Sequence, residues 1–194
     1  MKIINKRKTN YDVNSIFPKR WSPRALSGEK ITKTQLMKLF EAARWSPSSY
    51  NNQSWRFIYA MKGTKQFQTL FKILAPPNQV WCKNASVLIV IVSKKTFDYN
   101  KKPSITHSFD TGAAWMSLAL QASMSGLVAH GMQGLDYVKA QKQLNIPKDY
   151  QVEAMCAIGK KGKKSLLPKE MQAIEMQSDR KPITKIAFEG KFKR

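Results

Sequence analysis

The stretch "ASVLIVIV", residues 85–92, most constrains what this chain can fold into. It carries no charge, and it is far too short to span a bilayer, because a membrane helix needs about 20 apolar residues. A short apolar run of this kind is typical of a strand buried on both faces. The chain therefore has to cover such a strand with further structure, and its 194 residues are enough for one domain.

Helical patterns provide the covering layers. Thr32, with Gln35 three residues later, forms a capping box, so a helix is predicted to begin there and to stop at the Ser-Pro step of residues 46–47. The stretch "DTGAAWMSLALQASMSGL" predicts a second helix from residue 110 to about residue 125, with Asp110 as its cap. This helix is apolar nearly all round, which predicts burial on most faces and a subunit contact.

Strands and further helices complete an α+β fold, a sheet covered by helices. Strands are predicted at "SWRFIYA" and "YQVEAMCAIGK", and "GLVAHGMQGLD" predicts a glycine-spaced strand or loop. A short helix is predicted over residues 64–73, "APPN" is predicted to break the chain, and "DYVKAQKQLNI" predicts a helix ended by Pro147. Residues 1–19 are predicted to be an N-terminal arm and residues 20–194 a single domain.

The formal net charge of +22 favours anionic partners, and 27 of the 34 basic residues are lysines. A basic, non-enzymatic protein that binds nucleic acid or another polyanion is therefore one hypothesis. Among these partners nucleic acid is the less favoured, because no RRM, KH or zinc-finger signature accompanies the charge. Lysine also lacks the bidentate fork with which arginine recognises bases.

Familiar catalytic and metal motifs are missing from the sequence. The two cysteines are far apart and form no CxxC, which argues against a metal site and a disulfide framework and suggests a reduced, cytoplasmic setting. No GxGxxG, P-loop, GxSxG or carboxylate pair appears, and no apolar targeting segment or membrane span. The two histidines, His107 and His130, are interpreted as structural. If the chain is an enzyme, its chemistry belongs to a bound cofactor.

The stretch "ARWSPSSYNNQSWRF", residues 43–57, concentrates short hydrogen-bonding side chains between two tryptophans. Asparagine and glutamine amides match the pyrimidine edge of a flavin, because each offers donors and an acceptor. Serine hydroxyls suit a ribityl chain, and an arginine fork suits the phosphate of FMN. The candidates are Ser48, Ser49, Asn51 and Gln53 in this stretch, Arg20, Ser22 and Arg24 in "RWSPR" upstream, and Arg180 in "SDRKP" downstream.

In this order and spacing, the motifs resemble the FMN-dependent nitroreductase family. Arg-x-Ser-x-Arg precedes a helix and the pattern A-x-x-x-P-S-S-x-N-x-Q-x-W-x-F, and "NQVWCKNASVLIVIV", "HSFDTGAAWMSLALQASMSGLVAHGMQGLD" and "DRKPITKIAFEGKF" extend the resemblance over residues 20–192. The resemblance implies a nitroreductase-like fold, with a central mixed or antiparallel sheet covered by helices, in an intertwined homodimer with two FMN sites at the subunit interface. It also implies a ping-pong reaction in which NADH or NADPH gives hydride to flavin N5, for transfer to a nitroaromatic, a quinone or a similar acceptor.

The resemblance also assigns site residues. It implies that one subunit supplies Arg20, Trp21, Ser22 and Arg24 and that the other supplies Pro47, Ser48, Ser49, Asn51 and Gln53. Asn78 is expected at the pyrimidine end, the backbone of Gln133 and Gly134 near flavin N5 and O4, and Arg180 on the phosphate. No side chain is expected to act as a catalytic acid or base. A third hypothesis keeps the FMN fold but changes the reaction to a different flavin-dependent dehydrogenation of a metabolite.

Overall fold

A computed structural model describes residues 7–193, and within this range a four-stranded antiparallel sheet forms the centre of the molecule. The strands are β1 (Trp55–Met61), β2 (Val87–Lys94), β3 (Leu127–Met132) and β4 (Tyr150–Lys160), in the spatial order β1-β2-β4-β3. Strand β2 lies between β1 and β4, and all its residues except Lys94 are buried. The predicted α+β class and the buried central strand are confirmed, and the sheet is antiparallel rather than mixed.

Seven α-helices lie in the described range and surround the sheet. They are α1 (Ile16–Lys19), α2 (Lys33–Arg44), α3 (Lys65–Phe71), α4 (Pro76–Cys82), α5 (His107–Met124), α6 (Tyr137–Gln143) and α7 (Lys169–Ile174). Helix α2 begins at the predicted capping box, since Thr32 Oγ1 accepts from Gln35 N at 3.1 Å and Gln35 Oε1 accepts from Thr32 N at 2.8 Å. The described residues contain no helix with the length and hydropathy to cross a membrane.

Two hydrophobic clusters, one on each face of the sheet, explain the uninterrupted apolar run in β2. Leu88, Val90 and Val92 belong to one cluster, which also contains Trp81 of α4. The alternate residues of β2, such as Ile89, belong to the other cluster, where α2 and α5 pack. Because successive side chains of a strand point to opposite faces, burying both faces leaves no polar position in the middle of β2.

Three local predictions are wrong. The segment "APPN" does not break the chain but begins α4, since proline is well tolerated in the first turn of a helix, where the N–H it lacks would have no partner. Helix α6 ends at Gln143, four residues before Pro147, and Asn145 then adopts a left-handed φ of 51°. Helix α5 begins at His107 after Thr106, so Asp110 is not its cap.

The predicted N-terminal arm lies partly outside the described residues, which begin at Arg7. Its described part contains the single turn of α1. The division into an arm and a domain that begins at residue 20 stays a prediction.

Candidate functional site

A basic cavity of about 310 Å³ collects four of the chain's seven arginines. Its walls include Arg7, Arg20, Arg24, Arg180, Trp21 and Ser22, and we call it the arginine cavity. Lysines are almost four times as common as arginines in the sequence, yet the described residues that line this cavity include none. Such a selection of arginine favours an anion with several oxygens, because a guanidinium binds such groups through two parallel hydrogen bonds.

One carboxylate holds the turn that carries two of these arginines. Glu175 Oε1 accepts hydrogen bonds from the backbone N–H of Arg24 at 2.8 Å and of Ala25 at 2.9 Å. The other oxygen, Oε2, lies 4.0 Å from Nη1 of Arg24, and the side chain is almost fully buried. Because the carboxylate and the turn come from distant parts of the chain, this contact fixes the C-terminal segment against the N-terminal arginines.

The arginines of the arginine cavity are partly buried and repel one another. Burial lowers the pKa of Arg20, and the charge of Arg180 lowers it further. Arg180 Nη1 donates to Ser178 Oγ at 3.1 Å, which places the guanidinium over its own segment. Cations brought together in this way are destabilised unless an anion lies between them. The cavity is therefore suited to bind a phosphate or a similar dianion.

A second cavity of about 320 Å³ shares Arg20 and Ser22 with the first. Its other walls are largely apolar: Ile91 and Ala154 come from the sheet, Trp115 and Met116 from α5, and Gln133 from the loop after β3. We call it the ring cavity, because its largely apolar walls, which include the indole of Trp115, suit a flat ring. The indole in turn depends on Gly131, whose added Cβ would lie 3.0 Å from the ring.

Asn78 fixes the loop of Gln133 and Gly134 beside the ring cavity. The carbonyl oxygen of Gly134 accepts from Asn78 Nδ2 at 2.9 Å and from the backbone N–H of Ala75 at 3.0 Å. A Cβ at Gly134 would lie 2.6 Å from Asn78 Nδ2, so the amide fills the space that a side chain would take. The carbonyl oxygen of Gln133 accepts from Tyr137 Oη at 3.2 Å. Asn78 thus supports this loop, and its expected contact with a pyrimidine edge stays a prediction.

The polar loop between α2 and β1 has an unusual backbone. Tyr50, Asn51 and Gln53 all have φ between 48° and 51°, in the left-handed region that residues other than glycine rarely adopt. Such residues cost of order 1–3 kcal/mol each and persist only where the surroundings fix them. Asp110 Oδ2 accepts from the backbone N–H of Ser49 at 3.0 Å, and Ser48 Oγ accepts from that of Gln53 at 2.9 Å.

A second support for the polar loop comes from the segment after β2. Asn52 Nδ2 donates to the carbonyl oxygen of Thr96 at 3.2 Å, and Asn52 Oδ1 accepts from the backbone N–H of Asp98 at 2.9 Å. The ring of Tyr50 packs on Phe97 and Tyr99, with centroids 5.6 and 5.9 Å away. The loop is therefore clamped from two sides, and its strained backbone is the kind that clusters at functional sites.

The structure brings some predicted site residues together and leaves others apart. Arg20, Trp21, Ser22, Arg24 and Arg180 all line the arginine cavity, and Gln133 lines the ring cavity. Within the described chain, neither cavity is lined by the five predicted residues of the polar loop, which are Pro47, Ser48, Ser49, Asn51 and Gln53. Pro47, Asn51 and Gln53 are instead exposed to solvent. One chain therefore holds the arginines and presents the amides outward.

Sequence reasoning missed three residues of the site. Arg7 lies in what was predicted to be an arm, Glu175 lies in a segment without a motif, and Trp115 lies in the helix that was predicted to be buried on most faces. Glu175 and Arg7 form hydrogen bonds with residues far away in the sequence, so no local pattern identifies them. A signal existed for Glu175 alone, because it is one of only 12 acidic residues in a strongly basic chain.

Outside the cavities, a polar cluster surrounds His107. Ser93 Oγ lies 2.7 Å from His107 Nδ1 and donates to Glu153 Oε1, which also accepts from Ser108 Oγ at 2.7 Å. Both Ser93 and Glu153 approach the same ring nitrogen of His107, so the arrangement differs from a Ser-His-acid triad, in which two different nitrogens are used. No group of three or more metal-ligating side chains occurs in the part of the chain that the structure describes.

This architecture, a four-stranded antiparallel sheet under helices with a basic cavity beside a largely apolar one, has clear counterparts among known proteins. The Nitroreductase family pattern matches residues 18–160. An oxidoreductase containing FMN, known from its crystal structure, is 43% identical in sequence to this chain. The two structures match with a TM-score of 0.94 over 100% of this chain and 99% of that one. The chain belongs to the Nitroreductase family.

Two further relatives show a more distant similarity. An FMN-dependent nitroreductase from Clostridium difficile R20291 is 25% identical, with a TM-score of 0.61, over 75% of this chain and 85% of that one. Protein DrgA from Synechocystis is 26% identical over 158 residues, which is 68% of this chain and 75% of that protein.

Proposed function

We propose that this chain is an FMN-dependent oxidoreductase that acts as a homodimer. The single observation that carries the proposal is that the arginine cavity and the ring cavity are neighbours, with Arg20 and Ser22 in the lining of both. A molecule with a phosphate at one end and a flat, largely apolar ring at the other matches this pair of cavities. The FMN-containing oxidoreductase that is 43% identical over the full length of the chain supports the same cofactor.

The residues at the two cavities fit FMN by their chemistry. The arginine cavity, with Arg20, Arg24 and Arg180, would hold the phosphate through charge-assisted hydrogen bonds. Ser22 would hydrogen-bond the ribityl chain near the junction of the two cavities. Trp115 and Ile91 would exclude water from the ring, and the Gln133–Gly134 loop, held by Asn78, would keep its backbone beside the ring.

FMN would supply the redox chemistry, taking hydride at N5 from NADH or NADPH and passing it to a nitroaromatic, a quinone or a similar acceptor in a ping-pong cycle. The protein's contribution is then positional and electrostatic. Arg20 and Arg180 put positive charge in the arginine cavity, which favours an anionic ligand. His130 donates Nδ1–H to the carbonyl oxygen of Pro23 at 3.1 Å, and burial lowers its pKa, so it lines the arginine cavity as a neutral ring.

A homodimer accounts for the outward-facing polar loop. Asn51 and Gln53 are exposed in the single chain, and so is Tyr50 between α2 and β1, which is 79% exposed. Ile105 and Phe109, at the start of α5, are 93% and 80% exposed. Exposed apolar side chains are typical of a protein interface where they form one contiguous patch. A second copy that covers them would bring its own polar loop to the flavin, as the family resemblance implies. We also retain a cytoplasmic location as a proposal.

The visible spectrum of the purified protein tests the proposed function. We expect a yellow protein whose flavin absorbance bleaches when NADH or NADPH is added without oxygen. A colourless protein that cannot be reconstituted with FMN, and that binds nucleic acid with strong salt dependence, would favour the polyanion-binding hypothesis instead. An acceptor screen on the reduced protein separates nitroaromatic or quinone reduction from another flavin-dependent dehydrogenation.

A further inference from the structure

Arg7 joins the N-terminal segment to the C-terminal segment at the rim of the arginine cavity. Its Nε donates to the carbonyl oxygen of Ser178 at 2.8 Å, and its Nη1 donates to the carbonyl oxygens of Pro18 at 3.1 Å and of Arg20 at 2.9 Å. These acceptors come from three places in the sequence, so they fix the guanidinium in position. The side chain lines the cavity together with Arg20 and Arg180.

Ser178 carries two guanidinium groups at once. Its carbonyl oxygen accepts from Arg7, and its hydroxyl accepts from Nη1 of Arg180 at 3.1 Å. The two arginines are therefore neighbours in space, although 172 residues separate them in the sequence. Two adjacent guanidinium groups place their charges near different oxygens of one phosphate.

The electrostatics agree with a shared anion. Burial lowers the pKa of Arg7, the charges of Arg180 and Arg20 lower it further, and Asp179 acts in the opposite direction. Arg7, Arg20 and Arg180 therefore repel one another. A phosphate dianion in the cavity would offset all three together.

We propose that Arg7 binds the phosphate of the flavin nucleotide, so that the phosphate clamps the N-terminal segment onto the C-terminal segment. The inference rests on the proposed function, since it takes the ligand of the arginine cavity to be FMN. It adds a residue outside the Arg-x-Ser-x-Arg turn to the phosphate site, and it gives the phosphate a second role in ordering the chain.

The test compares FMN with riboflavin, which has the same ring and ribityl chain but no phosphate. Dissociation constants for both are measured by flavin fluorescence on apo-protein of the wild type, Arg7→Gln, Arg7→Lys and Lys8→Gln. Glutamine keeps an N–H donor for a neighbouring carbonyl but removes the charge. Lys8 is the matched control, because it is the neighbouring cation and is absent from the described lining of the arginine cavity; it lines a cavity of about 590 Å³ to which Arg7 and Arg180 also contribute.

We expect Arg7→Gln to weaken FMN binding about ten- to hundred-fold and riboflavin binding less than about two-fold. Arg7→Lys should weaken FMN binding less, because it keeps the charge and loses the fork. Lys8→Gln should leave both constants near the wild-type values. Inorganic phosphate should compete with FMN less well in Arg7→Gln than in the wild type.

Equal weakening of FMN and riboflavin by Arg7→Gln would overturn the proposal, because it would show that Arg7 only holds the two segments together. Unchanged binding of both would also overturn it. If Arg7→Gln does not fold, as judged by thermal unfolding, the same comparison of the two flavins on Arg7→Lys decides. A wild-type protein that binds neither flavin would refute the proposed function itself, which is a distinct result.

Discussion

Glu175 and Arg24 are 151 residues apart in the sequence, yet the Glu175 carboxylate accepts the Arg24 backbone N–H across 2.8 Å. The same oxygen accepts the N–H of Ala25, and the carboxylate is almost fully buried. A buried carboxylate shared by two backbone donors sets the position of the basic turn, residues 20–25, relative to the C-terminal segment. The arginine cavity exists because this contact brings its two sides together.

Glu175→Ala should lower the free energy of unfolding by about 2–3 kcal/mol, because it leaves two backbone donors without a charged acceptor. Glu175→Gln keeps an oxygen acceptor and should cost about 1 kcal/mol. Urea denaturation followed by circular dichroism measures both values. The exposed Glu189 provides the control, and Glu189→Ala should change stability by less than about 0.5 kcal/mol. Equal losses for Glu175→Ala and Glu189→Ala would refute the structural role of this contact.

Gly134→Ala and Asn78→Ala should be coupled. An added Cβ at Gly134 would displace the amide of Asn78, whose nitrogen would lie 2.6 Å away, and would break its bond to the Gly134 carbonyl. In Asn78→Ala, a Cβ at position 134 meets no amide. Gly134→Ala should therefore lower the free energy of unfolding by about 1 kcal/mol less in that background than in the wild type. Unfolding free energies of the wild type, both single variants and the double variant measure this coupling. Strictly additive losses would contradict the packing of Asn78 on this loop.

Arg20→Ala and Asn51→Ala should each reduce FMN retention in homodimers without unfolding the protein. If the two residues reach one cofactor from different subunits, a mixed dimer of the two variants contains one doubly altered site and one intact site. Differently tagged chains, co-expressed and purified in two steps, should therefore bind about one FMN per dimer with wild-type affinity. A mixed dimer that binds as weakly as the two homodimers would show that both residues act within one chain.

The stability of the fold should depend on pH through His130. Burial lowers the pKa of His130 most, the charges of Arg24 and Arg20 lower it too, and the Pro23 carbonyl and Glu175 partly offset the effect. The unfolded chain, where histidine has its ordinary pKa near 6.5, therefore binds a proton at a higher pH than the folded chain does. Stability from this residue is complete above that ordinary value and is lost as the pH falls below it, until the lowered pKa of the folded chain is reached.

His130→Gln should flatten the dependence of the unfolding free energy on pH between about 7 and 5. Glutamine can still donate to the Pro23 carbonyl, which limits other effects of the change. The second histidine, His107, is present in both proteins, so the difference between the two profiles reports His130 alone. Parallel profiles for the wild type and the variant would show that His130 does not titrate differently on folding.

Local patterns in the sequence predict the elements of this fold better than their junctions. The capping box of Thr32 and Gln35 was sufficient to predict the start of α2, because its hydrogen bonds join near neighbours in the sequence. The apolar run was sufficient to predict β2, because burial on both faces excludes polar residues. The two prolines that begin α4 were misjudged because proline both stops a helix and favours its first turn. The same residue type can therefore support opposite predictions.

The site was predictable in its types of residue and not in its long-range contacts. The arginines of the basic turn and Arg180 share a cavity, which their order in the chain alone does not require. Asp110 was expected to cap its own helix, but its carboxylate accepts from Ser49 in the polar loop instead. Contacts such as this one depend on tertiary packing, which no periodicity in one sequence records.

The left-handed backbone at Tyr50, Asn51 and Gln53 has a consequence for protein engineering. A segment whose conformation is imposed by Asp110 from α5 and by Thr96 and Asp98 after β2 is not portable by itself. Transplanted into another scaffold as a short peptide, it would relax into ordinary turns and lose the outward direction of its amides. A designer who borrows this motif has to copy the three chain segments as one unit.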